Sequence, residues 1–553
     1  MRNFLWVKVT NAQNEAKFIV EPTAYVVLKQ NKKEMVKSLK SILKTALVVF
    51  VCMLAACSAE RINITQPKDY QRFLTTVNPE FLITTSEALA WHQYKDQFGP
   101  TYSGNKSWHK FLSFTKKKFK ALGVKNLTAN KWTYARWHTS DWPDDSDWSL
   151  KSDGRPVKVA HYGAYSGATG PEGITAELAL LNSQAEMSTY SGKLVVVPVA
   201  PHPKPPLKED YEKWFTLNDY EFLSDAATFP HMFTKVSTIN SVAYDVMWQL
   251  RQTIKINAFL AKSNAAGGIV VFNMGYDRLA GLYTFPVLKL FNNPTLYLDR
   301  NAGDQVIEDA QLGKTATLKL VAEVEPTETY QLIGYLPGKD FGTPRDEKII
   351  LITHTDGPSI SQDNGAFGLL GIVSYFSHFP KSARPRTLMV FLDNRHYMPG
   401  MEQGNINQDW FTKHPEDRDS IVALIAMEHL GQVEFREVGN AFAPTGKVEP
   451  TFLWTRNNQV LIDKAIKAVK DNNWSRVMVQ SVERPGIHKR SQGVWYGMGK
   501  IALEWDLPAY AAMGIQGASW STTGRLDEFD KKQFVTQVAA MCQLTGELML
   551  MDF

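Results

Sequence analysis

A histidine and two carboxylates stand close together in EKIILITHTDGPSISQDNG, residues 347–365. His354 and Asp356 are two positions apart, and Asp363 follows nine residues after His354, directly ahead of Asn364-Gly365. Imidazole nitrogen and carboxylate oxygen are donors that zinc takes. Two later segments end in the same chemistry. TLMVFLDNRH (387–396) closes on Asp393, Arg395 and His396, and SIVALIAMEH (420–429) closes on Glu428 and His429.

Each of these polar ends follows a continuous apolar run: Ile349–Ile352, Leu388–Leu392 and Ile421–Met427. Such runs read as strands of a parallel sheet buried on both faces. In open α/β sheets, ligands gather at the carboxyl ends of the strands. Ala366 to Phe376 is apolar and Gly-rich, which suits a helix packed closely on that sheet. For one strand end, the plain explanation is that a strand meets water there. Three successive ends with the same donors favour a metal site.

A chain of 553 residues is too long for a single core and implies two or three domains. Its 44% hydrophobic and 21% charged residues are the balance of a globular protein. The basic total is deceptive. The first 56 residues hold nine Lys or Arg and three Glu, a surplus of six, while the whole chain is +5. The remainder is near neutral, which argues against a nucleic-acid partner.

Those first residues read as targeting. MVKSLKSILK from Met35 is basic, Ala46 to Met53 is apolar but too short to span a bilayer, and Leu54-Ala55-Ala56-Cys57 follows. The LAAC ending resembles a bacterial lipobox, which implies a signal peptide over 35–57, a lipid on Cys57 and membrane anchoring in the cell envelope, facing periplasm or exterior. Residues 1–34 read as an upstream extension. With Cys52 removed and Cys57 lipidated, Cys542 is left alone, with no partner for an intramolecular disulfide.

Residues 58–80 are expected as a tether. Residues 81–169 are expected as the first part of the main domain, with SGNKSWHKFLSFTKKKFKALGV as an amphipathic helix ending near Gly123. The Trp- and Asp-rich stretch 130–150 reads as a surface hairpin or a substrate wall. GKLVVVPV (192–199), AAGGIVVFN (265–273) and GKTATLKLVAEVE (313–325) are strand-like, so 170–325 is expected as an inserted β-rich domain. The main sheet returns over 330–553. The fold class is therefore α/β, a mostly parallel sheet flanked by helices, with the β-rich insertion.

These segments together resemble the co-catalytic zinc aminopeptidases and their glutamate-carboxypeptidase-like relatives with a protease-associated domain, over roughly 75–553. HTDGPSISQDNG resembles the first metal-binding loop of that family. GKLVVVPV, AAGGIVVFN and Ala302-Gly303 look like the protease-associated domain. The resemblance implies that His354 binds zinc, that Asp356 orients His354, and that Asp363 bridges two metals. The family's adjacent Glu pair, base and ligand, falls on Arg395 and His396, and its Asp ligand falls on Glu428. Its last His falls in MGIQGASWSTTGRLDEFD (513–530), which has no His but holds Ser519 and Ser521.

The resemblance thus implies zinc held by His354, Asp363, His396 and Glu428, one ion rather than two. Asp356, Arg395 and His429 are the candidate catalytic groups, with Arg395 binding a substrate carboxylate or an oxyanion. The implied function is a lipid-anchored zinc exopeptidase acting on a peptide or small amide. Two alternatives stand beside it: a catalytically inactive binding lipoprotein on the same fold, and a metal-dependent hydrolase that is not a peptidase.

Overall fold

The apolar runs around His354, Asp393 and Glu428 form adjacent strands of one sheet, and their pairing sets the geometry of the site. In the computed structural model, the described residues are 67–200, 246–282, 290–398, 408–456, 458–481, 497–514 and 526–553. The upstream extension, the signal segment and Cys57 lie outside them, as do Ser519 and Ser521. Among the described residues, no helix is long and apolar enough to cross a membrane.

The central sheet has eight strands: β1 Lys125–His138, β2 Glu323–Leu336, β3 Lys348–His354, β4 Thr387–Asp393, β5 Ile421–Glu428, β6 Thr451–Thr455, β7 Val477–Ser481 and β8 Ala509–Gly514. Their spatial order is β1-β2-β4-β3-β5-β8-β6-β7. The middle four run parallel, and β6 runs parallel to β7. β1 and β2 join antiparallel at one side, and β6 joins β8 antiparallel at the other. Every residue of β3 and β4 is buried, which is why their sequences do not alternate.

Register then does the positioning. His354 lies opposite Asp393 across the β3–β4 ladder. On the other side Ile352 lies opposite Ala426, so two residues further along each strand His354 comes level with Glu428. Three polar ends scattered over 75 residues of sequence become neighbours because their strands are neighbours.

Helices pack on the sheet. Helix Gly365–Ser377 is buried along nearly its whole length. It approaches the sheet so closely that a Cβ at Gly365 would stand 1.9 Å from the Met427 carbonyl oxygen. The closing helix Lys531–Leu550 lies on the same layer and buries Cys542 as an inert thiol. Trp108, from helix Lys106–Ala121, donates its indole N–H to Thr355 at 3.0 Å and so ties that helix to the end of β3.

Two expected boundaries move. The tether of 58–80 does not extend to its expected end, because Pro67–Thr75 is helical and Pro79–Phe81 is a 3-10 turn. Leu74 and Phe81 are buried, and the Tyr375 hydroxyl donates to the Phe73 carbonyl at 2.7 Å and accepts from the Asn78 N–H at 3.1 Å. The amphipathic pattern of this short helix is too brief to stand out in sequence.

The β-rich region forms its own eight-stranded sheet. It includes Trp148–Ser152, Arg155–Val157 and His161–Tyr162, so it begins before residue 170. Strand Leu194–Pro198 pairs with Ile174–Leu180 and with Gly267–Val271, and not with β3. Of the Trp- and Asp-rich stretch, residues 130–138 belong to β1, whose partner is β2, some 190 residues away, rather than a hairpin neighbour.

Candidate metal centre

His354 is fully buried at the end of β3. Its Nδ1 lies 3.0 Å from the backbone carbonyl oxygen of Asp356. A carbonyl only accepts, so the proton sits on Nδ1 and the Nε2 lone pair is left for another partner. Nε2 makes no hydrogen bond and stands 3.5 Å from Glu428 Oε2. Burial, with the neighbouring His396 and His429 rings adding to it, holds His354 well below its ordinary pKa, so this contact is no ion pair.

His429 follows Glu428 directly, and side chains one apart on a strand point to opposite faces. The backbone at His429 turns left-handed, with φ of 53°. This breaks the alternation and returns the imidazole to the side of Glu428. Its Nδ1 is 3.3 Å from the Gly514 carbonyl, and its Nε2, again, has no hydrogen-bond partner. His354, Glu428 and His429 each offer a donor atom, and these atoms all lie within 4.8 Å of one another.

The electrostatics agree with a cation at this point. Burial lowers His429 to about 4 and raises Glu428 to about 8, the latter opposed by the Met498 N–H donating to Oε1 at 2.6 Å. Neutral imidazole is the ligating form, and a buried carboxylate is stabilised by a nearby cation. Two histidines and one glutamate form a donor set known for catalytic zinc, which keeps a fourth position open. The residues therefore fit the ion that the sequence implied. Gly497 belongs to the same design: with φ of 76°, it approaches so closely that a Cβ would stand 2.3 Å from Glu428 Oε1.

The other expected residues take different places. The Asp356 carboxylate does not hold His354; its backbone carbonyl does. The carboxylate turns away and accepts from Ser103 Oγ at 3.1 Å, the Tyr397 N–H at 2.7 Å and the His396 N–H at 3.2 Å. Burial raises it to about 7. Asp363 is outside the cluster. Its Oδ1 meets Lys95 Nζ at 2.7 Å and its Oδ2 accepts from Thr101, with the Asp and Lys side chains both buried. The ammonium thus takes the place expected of a metal at this carboxylate.

His396 is also outside the three-residue cluster. It stacks on His354 with ring centroids 4.2 Å apart and planes 27° apart. Arg395 is engaged by a carboxylate of its own strand end. Its Nε and Nη2 both lie 3.2 Å from Asp393 oxygens, and its guanidinium sits over Trp132. Asp393 also accepts from Gln331 at 2.7 Å, so both of its oxygens are engaged.

No protein-family model matches the chain, and no curated protein matches its sequence. Solved structures do match its architecture. A peptidase M28 precursor from Shewanella amazonensis SB2B superposes with a TM-score of 0.55 at 12% identity, covering 88% of this chain and 98% of that one. The zinc aminopeptidase BSAP from Bacillus subtilis gives 0.53 at 11% identity, covering 84% and 95%. The fold is that of the zinc aminopeptidases. The aminopeptidase from Aneurinibacillus sp. strain AM-1 agrees, at 0.50 and 13% identity over 86% and 95%.

On this zinc-aminopeptidase fold, three structural features are not legible in the sequence. Lys95 sits in TSEALAWHQYKD, where a lysine reads as solvated surface. The placement of His429 beside Glu428 depends on a left-handed residue that no pattern announces. Gly497 is one glycine among 35, and only the approach of Glu428 explains it.

Proposed function

We propose that this protein is a zinc-dependent hydrolase of exopeptidase type, acting on a peptide or small amide, with one ion held by His354, Glu428 and His429. The observation that carries the reading is the meeting of two buried imidazole Nε2 atoms, neither hydrogen-bonded, with a buried carboxylate at the carboxyl ends of β3 and β5. Zinc bound there supplies a Lewis acid and acidifies a water molecule. The chain's own groups orient it. The Asp356 carbonyl fixes the tautomer of His354, the Gly514 carbonyl does the same for His429, and the Met498 N–H holds the second oxygen of Glu428. The stacked His396 ring limits rotation of His354.

The test is release of p-nitroaniline from a panel of aminoacyl p-nitroanilides by the full chain. We expect turnover with zinc, loss on chelation and recovery on adding zinc back. Absence of turnover across the panel, with zinc bound, would support the second reading, a binding lipoprotein that holds metal without catalysis. One observation favours that rival: Asp363, the carboxylate expected to bridge metals, is already neutralised by Lys95.

Lipidation of Cys57, an envelope location and a protease-associated-like role for the second sheet complete the proposal. The LAAC segment supports the first two, and the separate pairing of residues 148–320 supports the third. Wild-type protein is expected to fractionate with membranes, and Cys57→Ser to be released from them. A fully soluble wild type would contradict the anchor.

A further inference from the structure

A cavity of about 670 Å³ opens between the loop after β3, the two-stranded sheet of Phe435 and Phe442, and the segments around Trp142 and Tyr276. It is distinct from the three-donor cluster, none of whose residues lines it. Four aromatic side chains line it. Phe435 and Phe442 come from the paired strands Val433–Val438 and Ala441–Val448, with rings 5.3 Å apart. Trp142 and Tyr276 face the cavity from the second-sheet side, and Pro358 and Ile360 from the loop that runs from His354 to Asp363.

The charges on its lining are mostly of one sign. Lys95 lines the cavity, but its ammonium is taken up by Asp363 and by the Ser359 carbonyl at 2.8 Å. The other charged groups of the lining are the carboxylates of Asp96, Asp277 and Glu528. Further acids lie behind them. Asp527 reinforces the field at Asp96, and Asp145, Asp299 and Asp277 all act on the Tyr276 phenol. The Tyr276 ring already faces one ammonium of the chain itself. The chain's own exposed Lys158 places Nζ 3.3 Å from its centroid. Aromatic faces with surrounding carboxylates attract organic cations that have an apolar stem.

We propose that this cavity binds a lysine- or arginine-type side chain of a peptide, its methylene stem against the aromatic walls and its cationic head toward Asp96, Asp277 and Glu528. The proposal rests on the peptidase reading only for the choice of a peptide as carrier. It assigns a specificity site joined to the proposed metal centre through the loop that runs from His354 to Asp363.

The experiment is calorimetric titration of the full chain, as wild type and as His354→Ala, so that binding is read apart from turnover. The probes are N-acetyl-leucyl-lysine amide, the same peptide with norleucine, and the same peptide with glutamate. The lysine peptide is expected to bind about tenfold or more tightly than the norleucine peptide, and the glutamate peptide most weakly. Asp277→Asn and Asp96→Asn should each erode the lysine preference severalfold and leave norleucine binding unchanged, while Phe442→Ala should weaken both. Both carboxylates are exposed, so these variants keep the core intact. Equal affinity for lysine and norleucine, or a lysine preference untouched by both Asp variants, would overturn the proposal. The preference persisting in His354→Ala would uphold this site even if the protein hydrolyses nothing.

Discussion

Replacing Lys95 with methionine is expected to destabilise the protein by about 3–5 kcal/mol, the range for breaking a buried ion pair from one side. Lys95 Nζ lies 2.7 Å from Asp363 Oδ1, with side-chain exposures of 2% and 0%. Neither charge has water to fall back on. Burial already raises Asp363 to about 6, with Lys95 and Thr101 working in the other direction. Without the ammonium, the carboxyl would rise further and hold a proton near neutral pH. Asp363→Asn breaks the pair from the other side and leaves the ammonium with neutral acceptors such as the Ser359 carbonyl.

The informative variant is the double substitution Lys95→Met with Asp363→Leu. It removes both charges, so most of the single-variant loss should return. Urea unfolding of the four proteins measures this directly. A loss below about 1 kcal/mol for Lys95→Met, the range for exposed pairs, would show that the pair is solvated and that Asp363 is open to a metal after all.

Much of the architecture can be read from runs of residue type. β3, β4 and β5 are apolar throughout because they are covered on both faces, and that signal needs no knowledge of their partners. His354 and Glu428 follow from the same logic, as polar groups at the ends of such runs. What stays hidden depends on partners far away in sequence or on single backbone angles. Lys95 and Asp363 are 268 positions apart, and nothing local to either points to the other.

Arg395 reads in sequence as a substrate-facing cation, and its contact with Asp393 two positions back is a local detail that sequence spacing alone does not orient. Asp356 is expected to act through its carboxylate, and it acts through its main chain, which every residue possesses. The second sheet starts early for a related reason. Trp148–Ser152 alternates buried and exposed positions, but it follows a run of Trp and Asp that reads as surface.

The largest expected effect on function belongs to the three-donor cluster. His354, Glu428 and His429 come from two strands and one left-handed turn, and each contributes a single atom. Removing one of three protein ligands leaves too few donors to hold zinc firmly at neutral pH, and losses among the groups behind the ligands alone cost about 10–100-fold in affinity. His354→Ala, Glu428→Gln and His429→Ala should therefore each abolish stoichiometric binding. His396→Ala removes a stacked ring but none of the three donor atoms, so it should reduce affinity without abolishing it.

His429→Ala separates this arrangement from the one implied by resemblance, which runs through Asp363 and His396 instead. Elemental analysis of purified protein, equilibrated with zinc and freed of excess, decides between them. About one zinc per chain in the wild type and none in His429→Ala, with folding retained by circular dichroism, is the predicted result. A wild type that holds no stoichiometric zinc, or a His429→Ala protein that still holds a full equivalent, would contradict the assignment of this centre.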